Sequence, residues 1–347
     1  MHVKSASLDA VTIPLVAPYH ISYRSITSIT SDIIRIAMED GQYGIGEAVA
    51  LPGYSTESQD QIHHALVDVS KHMSGQSVEE AIGYVNSLLC GQPFARSAVL
   101  TALELAMGEL VFPSRISIPL VAPLSSGPKD AVLTEACRLL GKGFRTLKVK
   151  IGRDVNTDVI TARTLMDHVS DDVKLRFDAN QGYSRDDLLR FVKVLDHPRS
   201  CSVEYIEQPF VVQEWDTMKG FCRQPGFRFM LDESICDLDD LSRAADIGVQ
   251  FVKLKLYKHA GISHTLQLAQ EANRLGLRVV FGNGVSTDVG NMAEALLWSC
   301  RPELFHGAFE GNGFAKLQRT VLDNPPIVAD GCFQWSGSKL PDLRPTA

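Results

Sequence analysis

From about residue 119 onward the chain repeats one unit: a short apolar run, a polar turn, then an amphipathic stretch. The apolar runs read IPLVAPL, RTLKVKI, VKLRFDA, SVEYIEQ, RFMLDES, VQFVKLKL, LRVVFGN and LFHGAFEG. Between them, segments such as DVITARTLMDHV, RDDLLRFVKVL and GISHTLQLAQEANRLG carry apolar residues at helical spacing. Alternation of this kind predicts parallel strands, because a parallel neighbour is reached only through a crossover. The eight runs close most naturally into a (β/α)8 barrel. An open doubly wound sheet is the alternative, but no glycine-rich phosphate loop follows any run.

Residues 1–115 read differently. VKSASLDAVTIPL, SDIIRIAMED and YGIGEAVA alternate like an antiparallel meander with EDGQ as a turn, and helical patterns follow over 57–73, 78–89 and 95–110. This predicts an N-terminal α+β domain over 1–115, a barrel over 116–322, and a strand-like segment over 323–347 that returns to the first domain.

Composition narrows the class. With 347 residues, 45% of them hydrophobic and 22% charged, the chain can bury a large core. Its net charge of −7 and the absence of basic runs argue against nucleic acid as a partner. The longest apolar runs fall short of the ~18 residues that a membrane helix needs. The N-terminus MHVKSASLDAVTIPL lacks the layout of a signal peptide, so a cytoplasmic location is expected. Seven scattered cysteines with no CxxC pair read as reduced thiols rather than a zinc site.

Chemistry in a parallel barrel gathers where the strands end, since the following loops converge on one mouth. The second run, FRTLKVKI, puts Lys148 and Lys150 on one face of a buried strand, where unpaired charge is costly. The next three runs end in Asp178 with Asn180, in Glu207, and in Asp232 with Glu233; the sixth carries Lys253 and Lys255. Neighbouring strands lie ~4.8 Å apart, so Asp178, Glu207 and Asp232 are expected to converge on one point. Three carboxylates together call for a cation, and hard oxygen ligands suit Mg²⁺, with Mn²⁺ as a second option. Such an ion stabilises the dianion formed when a proton leaves the carbon α to a carboxylate, and lysines can move that proton. Lys150 is then the base and Lys148 its electrostatic partner, with a cationic neighbour and the ion lowering the Lys150 pKa. Salt bridges that merely close the barrel are the structural alternative.

These residues carry a resemblance. K-x-K at 148–150, DANQG at 178–182, EQP at 207–209, DES at 232–234 and KLKLYKHAGI at 253–262 resemble the enolase superfamily, in particular its muconate-lactonizing-enzyme subgroup. PYHISYRSIT and GFRTLKVKIG look most like its dipeptide epimerases. The resemblance implies Mg²⁺ on Asp178, Glu207 and Asp232, with Asn180 and Glu233 beside them. It makes Lys150 and Lys255 the paired acid and base, and implies lid loops around residues 19–28 and 50–58, Arg24 contacting a substrate carboxylate, and a homo-oligomer. Three features depart from the epimerase pattern. Asp-x-Asp in the last run becomes Ala308 and Glu310, S-x-x-E becomes Asn283 and Ser286, and VFPSRISIPLVAPLSSG lacks the usual glycine-containing helix end. Arg24, Glu310, Ser286 and Asn283 are therefore the candidate substrate-reading residues. The expected activity is racemisation or epimerisation of a dipeptide or N-substituted amino acid, a small-molecule carboxylate. Dehydration or cycloisomerisation through the same enolate, and a non-catalytic binding role, are the alternatives.

Overall fold

The computed structural model describes residues 1–20, 25–51, 54–108, 110, 113–124 and 127–344. Three long strands open the chain: β1 (Val3–His20), β2 (Ser25–Met38) and β3 (Tyr43–Ala48), paired antiparallel in that order. Gly41, at φ +90°, turns the β2–β3 hairpin, and Asp40 accepts a hydrogen bond from the Gln42 amide. Helices α1 (Gln59–His72), α2 (Val78–Leu88) and α3 (Pro93–Ala106) cover the sheet. Ser58 and Ser77 start the first two through capping boxes. Helix α3 lies so close to β3 that a Cβ at Gly44 or Gly46 would collide with the carbonyls of Ala102 and Ala98.

The strands β5 (Val121–Leu124), β6 (Thr146–Lys150), β7 (Lys174–Asp178), β8 (Val203–Glu207), β9 (Phe229–Leu231), β10 (Phe251–Leu254) and β11 (Arg278–Phe281) form one parallel sheet in chain order. Helices α4 (Lys129–Gly141), α5 (Val155–His168), α6 (Arg185–Phe191), α7 (Trp215–Cys222), α8 (Leu238–Ile247) and α9 (Gly261–Arg274) make the crossovers, and α10 (Asp288–Cys300) follows β11. The last run of the repeat is not a regular strand. It closes the ring nonetheless, because the amides of His306 and Glu310 donate to Val279 and Phe281 on β11. On its other side the Phe309 amide donates to Pro119, and the Val121 amide donates to Phe309. The fold is a (β/α)8-type barrel with an N-terminal α+β domain.

Two details differ from the repeat as read in the sequence. IPLVAPL is split: β4 (Arg115–Pro119) leaves for a second antiparallel sheet with β12 (Ile327–Ala329) and β13 (Cys332–Ser336), and only Val121–Leu124 is a barrel strand. No helix follows the eighth run either; the chain makes a single turn at Phe314–Lys316. A Cβ at Gly313 would strike the backbone of Ser286, so the segment is pinned against the end of β11 rather than extended outward.

The two parts share a core. Ile13, Ile29, Ile33 and Ile45 of the N-terminal sheet belong to one buried cluster with the barrel residues Leu124, Leu147, Phe177 and Phe281. Glu104 of α3 accepts from the amides of Ile262 and Ser263 at the start of α9. Near the C-terminus, Asp342 pairs with Arg35 of β2 at 2.8 Å, and the Tyr43 hydroxyl donates to the Leu340 carbonyl.

Candidate active site

The parallel register places Lys150 opposite Asp178 and Asp178 opposite Glu207 at three successive strand ends. Beyond them the backbone bends sharply: Asn180, Gln181 and Gln208 all take positive φ. Gly152, at φ +100°, and Gly182 let the turns after β6 and β7 approach each other, and a Cβ on Gly152 would meet the Ala179 carbonyl. Gln208 then ties two strand ends together, its Oε1 accepting from the Asp232 amide at 3.0 Å and its Nε2 donating to Ser234 at 2.8 Å.

Lysines knit these carboxylates. Lys150 Nζ lies 2.6 Å from Asp178 Oδ2 and 2.7 Å from Asn180 Oδ1. Lys148 Nζ reaches Glu207 Oε2 at 2.6 Å, Glu310 Oε2 at 2.9 Å and Asp178 Oδ2 at 3.1 Å. Lys255 Nζ sits 2.5 Å from Asp232 Oδ2, and Lys258 Nζ donates to the Asp232 carbonyl at 2.7 Å. Tyr54 arrives from the N-terminal domain: its hydroxyl donates to Asp232 Oδ1 at 2.9 Å and accepts from Lys255 at 2.9 Å. Lys148, Lys150, Lys255, Asp178 and Asp232 together line a cavity of about 70 Å³. Strands β6 and β10 stand four places apart in a ring of eight, so Lys150 and Lys255 reach the cavity from opposite walls.

The carboxylates do not converge on one point as the sequence suggested. Among the described residues no three such side chains are drawn tightly enough together to hold an ion as placed. The ammonium groups stand between them and supply the compensating charge. The donor chemistry nevertheless fits a hard divalent cation, being entirely carboxylate oxygen on successive strands. Glu207 Oε2, held to Lys148 by charge alone, and Glu233 Oε2 are buried without a hydrogen bond. Burial, followed by Asp178, pushes the Glu207 carboxyl well up, and burial with Asp232 does the same to Glu233.

The lysine pKa values follow from burial and the carboxylates beside them. Burial is the largest influence and pushes the Lys150 ammonium down, but Asp178 with Tyr19 and Glu207 together outweigh it and the net shift is upward. Lys255 behaves alike: burial is the largest influence and lowers it, and Asp232 with Tyr257 and Glu233 together raise it above its ordinary value. The charge of Lys148 does lower Lys150, but the charges and partners around it raise it by more.

The substrate-reading candidates scatter. Asn283 lines the cavity, its Nδ2 donating to the Val285 carbonyl. Ser286 does not line it and donates instead to Glu47 of β3 at 2.9 Å. The same Glu47 carboxylate accepts from Ser31 and from the amides of Thr287 and Gly290, so it docks the N-terminal domain onto the start of α10. Glu310 lines the cavity floor but is bound by Lys148, Lys253 and Arg176. The alternating pair that reaches the cavity is Glu310 and Asn312, not Ala308 and Glu310. Arg24 lies outside the described residues. Tyr54, Lys258, Glu47, Glu294 and Lys316 were not singled out in the sequence, where a single polar residue in a turn, a helix or a short strand carries no periodic signal.

Two family models match this chain. Residues 131–342 match the enolase C-terminal domain-like family, and residues 5–109 match the N-terminal domain of mandelate racemase and muconate lactonizing enzyme. The chain belongs to the enolase superfamily. Within it, the chain falls with the muconate-lactonizing-enzyme subgroup and its dipeptide-epimerase-like members, and it is an isomerase of that superfamily. This enolase-superfamily chain is 25% identical to N-succinyl-L-Arg/Lys racemase of Bacillus cereus, over 84% of its length and 83% of the relative's. It is 26% identical to L-Ala-D/L-Glu epimerase of Bacillus subtilis, over 98% and 94%. A dipeptide epimerase from Methylococcus capsulatus, solved with Mg and the dipeptide L-Arg-D-Lys, superposes with a TM-score of 0.85 at 25% identity, covering 98% of each chain.

Proposed function

We propose that this enzyme racemises or epimerises the carbon α to a carboxylate in an N-substituted amino acid or dipeptide, with Mg²⁺ as cofactor. The observation that carries the reading is the pair Lys150 and Lys255, which enter one cavity from opposite walls of the barrel. A proton removed from one face of a planar enediolate and returned on the other inverts the centre, and each face needs its own base within hydrogen-bond reach. Lys150 serves one hand and Lys255 the other. Asp178, Glu207 and Asp232 would hold the ion, with Asn180 and Glu233 beside them. When bound, it supplies Lewis acidity that offsets the charge developing on the substrate carboxylate. Its charge would also relieve the lysines of their role as counterions to the carboxylates, which favours their neutral, basic form. Lys148, on Glu207 and Glu310, keeps the floor of the cavity positive toward that carboxylate. Tyr54 closes the cavity from the N-terminal domain and orients Lys255. Relatives named as racemases and epimerases support the reaction class.

The test is α-proton exchange in D₂O, measured by NMR on a panel of N-acyl amino acids and dipeptides with and without Mg²⁺. Deuterium incorporation with inversion is the expected outcome. Loss of water, or ring closure without exchange of both enantiomers, would replace this reading by elimination or cycloisomerisation.

A further inference from the structure

Lys316 follows the eighth strand position, in the turn Phe314–Lys316, and takes no part in the chemistry above. Its ammonium donates to the Gly284 carbonyl at 2.6 Å and to Asn312 Oδ1 at 2.8 Å, and it lies 4.6 Å from the centre of the Tyr19 ring. All of these are neutral groups, and among the described residues no carboxylate pairs with it. The other lysines around the cavity differ: Lys148, Lys150, Lys255 and Lys258 each have one. A half-buried ammonium without a counterion is costly, and a ring face with two neutral oxygens offsets only part of that cost. Burial, followed by the charges of Lys150 and Lys148, pushes the Lys316 ammonium down to about 7, and an anion beside it would restore the charged form.

Its position says what the missing partner is attached to. Lys316 lines a groove of about 660 Å³ that runs outward between the end of β1, β5 and α4. This groove and the reaction cavity share Tyr19, Val121, Pro123 and Asn312. A molecule whose reacting carbon lies between Lys150 and Lys255 can therefore extend past Asn312 toward Lys316. The walls there include Val16, Ala17, Leu139 and Phe144, which suit a methylene chain. Where the groove leaves the cavity, that extension meets the Asn312 amide and Lys316; Glu310 there is already compensated by Lys148, Lys253 and Arg176. The acids Glu135, paired with Arg138, and Asp330 also line the groove.

We propose that Lys316, oriented by Asn312, is the residue that selects substrates bearing a second carboxylate at the far end of an acyl substituent. The inference rests on the reaction reading above for the placement of the α-carbon, but its test does not require turnover. N-succinyl-L-alanine and N-butyryl-L-alanine share the acyl spacer and differ in the terminal carboxylate. Their dissociation constants are measured by calorimetry on the Mg²⁺-supplemented protein. The succinyl compound is expected to bind about 10- to 100-fold more tightly, the worth of a charge-assisted hydrogen bond. Lys316→Met should bring it down to the butyryl value, and Lys316→Arg should keep most of the preference. Equal or absent binding of both compounds to the native protein overturns the inference, as does a preference that survives in folded Lys316→Met. Where Lys316→Met does not fold, Lys316→Gln is read in the same way. Proton exchange on the same compounds is scored separately. Exchange without a carboxylate preference removes the role of Lys316 alone, whereas preference without exchange removes the reaction and leaves the anion site standing.

Discussion

Lys150 and Lys255 are chemically identical residues that line one cavity, and in the proposed reaction their roles differ only in which side of the substrate they face. Lys150→Ala should therefore abolish α-proton exchange from one enantiomer and spare some from the other, and Lys255→Ala should do the reverse. Stereospecific exchange followed by NMR decides it; loss from the same enantiomer in both variants would point to one-sided chemistry. Tyr54 lies one contact away, between Lys255 and Asp232. Tyr54→Phe keeps the ring over the Lys255 ammonium but removes both hydrogen bonds. It is expected to lower kcat about tenfold with little change in KM, since a net hydrogen bond is worth about 1 kcal/mol. Steady-state kinetics showing a KM effect alone would make Tyr54 a binding residue instead.

At the scale of elements, buried carboxylates join segments that the chain separates. Glu294 of α10 accepts from the Leu256 amide after β10 at 3.3 Å and from the Asn283 amide after β11 at 2.9 Å. Burial pushes its carboxyl up to about 7, against the ordinary 4.5. A carboxyl whose folded-state pKa is raised favours the folded state when protonated. Its contribution is therefore full below pH 4.5 and is lost as pH rises through about 7. Native stability should thus fall across that window relative to Glu294→Gln, which cannot titrate; parallel denaturation curves for the two proteins would refute this. Glu47 does similar work between β3 and α10, with four donors on one carboxylate. Glu47→Ala strands all four and should cost about 3 kcal/mol or more, visible as a lowered midpoint in urea.

At the scale of the whole molecule, one hydrophobic cluster runs from the N-terminal sheet into the barrel. The two parts should accordingly unfold in a single calorimetric transition, and two resolved peaks would contradict a shared core. Mg²⁺ is expected to raise that transition by mass action, by about 2.7 kcal/mol at a hundredfold excess over its dissociation constant. Asp232→Asn should lose the increment, and EDTA should reverse it in the native protein. An unchanged melting temperature with saturating Mg²⁺ would argue against the carboxylates as its ligands.

The sequence by itself determined the barrel and the identity of its charged strand ends. Strand–helix alternation admits few topologies, and residues two apart on a buried strand must share a face. It placed Lys148, Lys150, Asp178, Glu207, Asp232 and Lys255 without any three-dimensional information. Other features depended on tertiary contacts. IPLVAPL divides between two sheets because β4 finds β13, a partner more than two hundred residues away. Ser286 turns from the cavity because Glu47 arrives from the other domain. Asn312 rather than Ala308 reaches the cavity because the last segment closes the ring through the bonds of Phe309 and Glu310. The carboxylates meet lysines before they meet each other, and the charges on those lysines follow from that placement. Local patterns fix which way a side chain points, whereas distances between segments far apart in the chain are set only when the core closes.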